Sequence, residues 1–160
     1  HSSIAKAINS FKAIPHRLEY LGKIDNLSIF NDSKATNFDS SLTGLKSVPY
    51  PTVLLAGGQQ KKGDYHAWIE QIKQSTNGII LFGVSSKDLK EAISQFSYKG
   101  KVIVKQNLEE ATKAAIEIAL ETNSKSILLS PACASFDQYE NYEERGNHFK
   151  ELVKKHGIIK

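Results

Sequence analysis

At 160 residues, 40% hydrophobic and 24% charged, the chain has the size and balance of one soluble globular domain, able to bury roughly two-thirds of its unfolded surface. Its net charge of +4 comes without a basic run or interleaved aromatics, which suits small anionic partners and argues against nucleic acid. Cys133, the single cysteine, excludes an internal disulfide and fits a reducing compartment; no signal peptide is evident, and no apolar stretch nears the ~20 residues that span a bilayer.

The chain opens on HSSIAKAINSF, without an initiator Met and with Ile4, Ala7, Ile8 and Phe11 in helical rhythm. A domain that starts inside an element is expected to be a piece of a longer protein, with His1 and Ser2 read as appended residues. IPHRLEYLGKID and LSIFN follow as two strands joined by a hairpin turn at Asp25–Asn26. FDSSLTGLKSV places Leu42, Leu45 and Val48 at helical spacing and is ended by Pro49 and Pro51. TVLLAGG and GIILFG are continuously apolar, as strands covered on both faces should be. KVIV and SILLS complete the strands, and HAWIEQIKQS, KDLKEAISQF, LEEATKAAIEIAL and the later part of YENYEERGNHFKELVKKHG read as helices.

This alternation predicts one α/β domain over 1–160: a mostly parallel, doubly wound, Rossmann-like sheet with an antiparallel edge strand and helices on both faces. Ligands of such sheets bind beyond the carboxyl ends of the strands. Three loops there carry unusual chemistry: NDSKATN, GGQQKKGDY and SPACASFDQYENY. Together they offer Asp32, Lys34, Thr36, Lys61, Lys62, Ser130 and Ser135, a cationic and hydroxyl-rich set suited to carboxylates and phosphates.

Each loop also has a plain reading. DSKATN can serve as a helix cap, GGQQKKGD as a flexible turn with solvated lysines, SPACAS as close packing, and GVSSKDL as a further cap. Gly58 and Gly63 have phosphate-loop spacing, but Asp64 and Tyr65 stand where Lys and Ser/Thr are required. Cys133 reads as a buried small residue, no Gly-x-Ser-x-Gly elbow is present, and the five histidines lack metal-ligand spacing, so no metal is assigned. Convergence of three such loops on one edge favours a binding site.

PHRLE, NDSKATN, LLAGGQQKKGDY and LLSPACASFDQYENYEERGNHF are similar, in order from about Ile4 to Gly157, to the C-terminal domain of the Mur ligases of peptidoglycan synthesis. DSKATN and SPACASFDQ followed by ERG resemble the branch that adds D-glutamate. The resemblance implies a three-domain, monomeric, cytoplasmic bacterial enzyme. Its N-terminal domain holds a UDP-sugar, and its central domain holds ATP and Mg2+. The resemblance further implies that ATP phosphorylates the carboxylate of UDP-N-acetylmuramoyl-L-alanine and that the amine of D-glutamate attacks the acyl phosphate, with the third domain alone inactive.

On matching positions the resemblance implies that His16, Arg17 and Asp32 meet the nucleotide. Lys34 sits near the transferred phosphoryl group as the catalytic residue. Thr36 and Lys61 receive the α-carboxylate of D-glutamate, while Ser135, the Phe136 backbone and the region of Tyr142 receive its side-chain carboxylate. Gln59 and Gln60 depart from the family's Gly-Gly-Asp-Gly-Lys loop, leaving open whether Lys61 or Lys62 reaches the ligand. Phe136 and Tyr142 stand where leucine and phenylalanine are common. A ligase of the same superfamily with another acceptor, or a free-standing module for anionic amino acids, fits the same loops.

Overall fold

The computed structural model describes residues 14–157, so the helix expected at the start of the chain lies outside the described residues. Six strands form one sheet: β1 (Glu19–Ile24), β2 (Leu27–Asn31), β3 (Thr52–Gly57), β4 (Thr76–Phe82), β5 (Lys101–Lys105) and β6 (Ser126–Leu129). The described helices are α1 (Phe38–Ser47), α2 (His66–Ser75), α3 (Ser86–Ser94), α4 (Leu108–Glu121) and α5 (Tyr142–Lys155). Strand order is β1-β2-β6-β3-β4-β5, with only the β1–β2 pair antiparallel. The expected α/β class and antiparallel edge are present.

Alternation along the central strands divides the core into two layers. Ile29, Val53, Leu55, Ile80, Phe82, Ile127 and Leu129 pack beneath α4 and α5. Phe30, Leu54, Ala56, Ile79, Leu81 and Leu128 pack beneath α1, α2 and α3. Strands covered on both faces have no polar side to present, which is why their sequences are apolar without a break. Each such Leu or Ile contributes roughly 1.5–3 kcal/mol by leaving water.

Three of the five described helices start at an asparagine cap. Asn37, Asn107 and Asn141 accept from the N–H groups of Ser40, Glu110 and Glu144 at 2.8, 2.9 and 2.7 Å, each satisfying a donor that the first helical turn leaves free. In α5 the first turn carries Glu143 and Glu144 and the last carries Lys154 and Lys155, in line with the helix dipole.

The run IPHRLEYLGKID departs from the expected strand. Only Glu19–Ile24 is extended, because His16 and Leu18 adopt φ of 67° and 44°. The chain there makes a turn rather than a strand, and its side-chain partners hold that unusual backbone in place.

Candidate functional site

The strand order brings four loops to one edge. Because β6 lies between β2 and β3, its SPACAS loop touches both neighbours: Ala132 N–H donates to the Ala35 carbonyl at 2.9 Å, and Ala134 exchanges two backbone hydrogen bonds with Gln59 at 2.8 and 2.9 Å. Gly58 permits this approach. It adopts φ of +127°, and a Cβ there would collide with the Ala134 carbonyl. The loop after β4 joins too. Ser85 sits at the start of α3 but its hydroxyl does not cap that helix; it accepts from Gln60 N–H at 2.8 Å. The expected cap is therefore a brace for the lysine loop, since the neighbouring backbone offers its donor first. Val84 N–H donates to Asp137 Oδ2 at 3.1 Å, closing the ring of loops.

NDSKATN divides its labour residue by residue. Asn37 caps α1, so the capping reading accounts for one residue of the seven. Asn31, Asp32 and Ser33 are buried, while Lys34 is exposed and Thr36 half-buried. Asp32 Oδ2 accepts from the Ser130 hydroxyl at 2.7 Å, and Oδ1 accepts from Leu18 N–H at 3.1 Å. Burial pushes the Asp32 carboxyl up to about 6, against the pull of those two donors and of the Arg17 charge.

Beneath the loops lies Arg145, fully buried in α5. Its guanidinium donates to the Ser33 hydroxyl at 2.9 Å, the Ser33 carbonyl at 2.7 Å and the Cys133 carbonyl at 3.0 Å. Ser33 in turn donates to the Tyr142 carbonyl at 2.8 Å. Burial lowers the Arg145 pKa to about 10, so the guanidinium stays charged at neutral pH. One cation thus fastens the loops after β2 and β6 to α5. The sequence assigns Arg145 no role; its ERG context enters only the family resemblance, since the acceptors of a buried guanidinium leave no local signal. Cys133 is buried beside it, and burial lifts the thiol to about 12, which removes it as a nucleophile.

The expected site residues separate by exposure. Lys61 Nζ donates to Thr36 Oγ1 at 3.3 Å, bringing together two side chains from different loops. Arg17, Lys34 and Lys62 are exposed. Ser135 is buried, the Phe136 side chain is 67% exposed, and Tyr142 is half-buried with its ring edge-on to His16. The N–H groups of Ser135 and Phe136 donate to no acceptor among the described residues. His16, by contrast, is buried, with its Nδ1 2.9 Å from Asn31 Nδ2. His16 and Asp32 lie under the site rather than on its surface. Asp64, in place of a phosphate-loop lysine, precedes α2 and accepts from His66 N–H at 2.9 Å.

Among the described residues no cluster of three or more His, Cys, Asp or Glu side chains could hold a metal ion. The family resemblance assigns Mg2+ to the central domain and none of its ligands to this one. No described helix is long and apolar enough to cross a membrane.

No protein-family model matches the chain. It is 72% identical over 159 residues, 99% of its length, to the UDP-N-acetylmuramoylalanine–D-glutamate ligase of Prochlorococcus marinus strain NATL2A, and covers 34% of that protein. It is 46% identical over 154 residues to the ligase of the same name from strain MIT 9313, covering 96% of the chain and 34% of that protein. The chain thus spans about a third of the length of the curated relatives it matches. In fold it is similar to the UDP-N-acetylmuramate-alanine ligase of Thermotoga maritima, with TM-score 0.60, 12% identity and coverage of 94% of this chain and 33% of that one. A folylpolyglutamate synthase of Mycobacterium tuberculosis, solved with ADP and AMPPCP, gives TM-score 0.61, 12% identity and coverage of 86% and 32%.

Proposed function

We infer that this chain, which belongs with the UDP-N-acetylmuramoylalanine–D-glutamate ligases over the third of their length that it spans, is their C-terminal domain, the one that receives the amino acid. The parent reaction joins D-glutamate to UDP-N-acetylmuramoyl-L-alanine. ATP transfers its terminal phosphoryl group to the acceptor carboxylate, giving an acyl phosphate and ADP. The D-glutamate amine attacks that carbonyl and loses a proton, and phosphate leaves as the amide forms.

The observation that carries the site assignment is the meeting of Lys61 and Thr36 at 3.3 Å. An ammonium and a hydroxyl from separate loops form a receptor of the right charge for the α-carboxylate, and the contact supports Lys61 over Lys62. The N–H groups of Ser135 and Phe136, which donate to no acceptor among the described residues, support a second receptor for the side-chain carboxylate, with Tyr142 at its border. Two fixed carboxylates orient the amine, and positioning of this kind supplies much of the rate. Lys34, exposed in the same loop as Thr36, is proposed to stabilise negative charge developing on the transferred phosphoryl group. Arg17 is proposed to reach the nucleotide, with His16 and Asp32 holding the turn that carries it. ATP is a substrate of the whole enzyme. The central and N-terminal domains of the parent are the remaining partners, in a monomeric, cytoplasmic enzyme.

The test is phosphate release by the full-length ligase given ATP, magnesium and UDP-N-acetylmuramoyl-L-alanine. Release that depends on D-glutamate, and not on L-glutamate, L-lysine or diaminopimelate, is expected. Dependence on another amino acid overturns the assignment of the carboxylate receptors, and release with none overturns the ligase reading.

A further inference from the structure

Asn31, the last residue of β2, is fully buried and bonded on both sides of its amide. Its Oδ1 accepts from the backbone N–H of Ser33 at 3.2 Å. Its Nδ2 donates to Glu19 Oε1 at 3.2 Å and lies 2.9 Å from His16 Nδ1. The Ser33 N–H can only donate, which fixes the amide oxygen on that side. The Glu19 carboxylate can only accept, which independently fixes the NH2 on the other. Burial works against the charge on Glu19, but Lys150 at 2.9 Å, the His16 N–H and the Asn31 amide outweigh it and hold the group below the usual carboxylate range.

With the amide oriented, the His16 ring has no choice of tautomer. Facing an NH2, Nδ1 must be the acceptor, so the ring proton sits on Nε2 and the ring is neutral. The titratable groups facing the ring are Glu19 from β1, and Tyr142, Glu143 and Lys150 from α5. Burial is the largest influence and acts in the same direction, keeping the ring's pKa below its ordinary value. His16 is held at further points. Its N–H donates to Glu19 Oε1 at 3.1 Å, its carbonyl accepts from Lys34 N–H at 2.9 Å, and a Cβ on Gly146 would collide with the ring.

We propose that Asn31 is a positioning residue that locks His16 as the neutral Nε2–H tautomer and thereby ties the turn carrying Arg17 to the loop carrying Lys34. Asn31 touches no substrate. It acts through three partners: His16 and Glu19 on the Arg17 side, and the Ser33 backbone on the Lys34 side. The functional half of the proposal rests on the ligase reading above; the tautomer does not.

The test uses the full-length ligase labelled with 15N-histidine, with His16 assigned by its loss in His16→Gln. In the unsubstituted protein at neutral pH, His16 Nδ1 is expected to resonate as an unprotonated ring nitrogen and Nε2 as a protonated one. Asn31→Asp replaces the donor by an acceptor and is expected to put a proton on Nδ1. It is also expected to raise KM for ATP about tenfold, the scale of one buried hydrogen bond, with KM for D-glutamate changed less than twofold. Asn31→Ser removes the contact without adding charge and is expected to raise KM for ATP in the same way, which keeps the test open should the aspartate variant misfold. A protonated Nδ1 in the unsubstituted protein, or an unchanged tautomer in a folded Asn31→Asp protein, overturns the lock. An unchanged KM for ATP in a folded variant overturns the coupling. Absence of D-glutamate-dependent activity in the unsubstituted ligase tells against the ligase reading instead, and the spectra still decide the lock.

Discussion

The Ser130 hydroxyl donates to Asp32 Oδ2 at 2.7 Å across a separation of 98 residues. Parallel pairing of β2 with β6 sets Asn31 opposite Leu129, so the next residue of each strand, Asp32 and Ser130, emerges side by side. Two loops are joined by a carboxylate that burial makes reluctant to ionise.

That reluctance predicts a pH dependence. The folded Asp32 pKa, raised to about 6 from 3.8, means that the fold favours the protonated acid. Its stabilising contribution is complete below the unfolded value and is lost as pH rises through about 6. Asp32→Asn is therefore expected to flatten the stability profile between pH 4 and 6 and to stabilise the protein near pH 7.5 by at most about 3 kcal/mol, while turnover of the full ligase falls. Urea unfolding across pH checks it; an unchanged profile would mean that burial does not govern this carboxyl.

Gly44 in α1 reverses the usual helix rule. Alanine normally improves a helix interior by about 1 kcal/mol over glycine. Here a Cβ would stand 2.5 Å from Asp32 Oδ2 and 3.1 Å from Ser130 Oγ. Gly44→Ala is expected to destabilise by about 1–3 kcal/mol, read from the denaturation midpoint.

Removing Arg145 leaves the carbonyls of Ser33 and Cys133 without their buried donor. Arg145→Met is expected to lose about 2–4 kcal/mol of stability. Arg145→Lys, which keeps the charge but not the planar fork, should recover only part of it. Thermal unfolding of the two variants beside the parent separates charge from geometry.

Lys61→Ala and Thr36→Ala are each expected to raise KM for D-glutamate by about tenfold or more. Because the two side chains touch, the double variant should lose less than the product of the single losses. Lys62→Ala should change KM by less than twofold; a larger effect than Lys61→Ala would exchange their roles.

Lys34→Ala is expected to lower turnover at least ~100-fold while the unfolding midpoint stays within about 0.5 kcal/mol. Its side chain is exposed, and its backbone bond to the His16 carbonyl survives the substitution. Normal turnover in this variant would remove Lys34 from the reaction.

Secondary structure was legible wherever one physical demand dominated a segment. TVLLAG and GIILF are apolar throughout because their strands are covered on both faces, and the capping chemistry of DSKATN is borne out at Asn37 because free N–H groups need acceptors. The loop chemistry of NDSKATN, GGQQKKGDY and SPACAS was legible for a similar reason, since charged and hydroxyl groups crowd where apolar runs end. The insertion of β6 between β2 and β3 had no local signal. It depends on which strands pair, and that choice is what lets Ser130 find Asp32 and Ala132 find Ala35. Arg145 drew no role because its acceptor Ser33 lies 112 residues away, and PHRLE read as strand because nothing local reveals that Asn31, Glu19 and Lys34 hold His16 in a left-handed turn. By itself the sequence determined the elements and the residue types at the site, since both follow from neighbours along the chain. Only the tertiary structure decided which of those residues face solvent and which brace them from below, because a buried polar group is stable only where distant partners complete its hydrogen bonds.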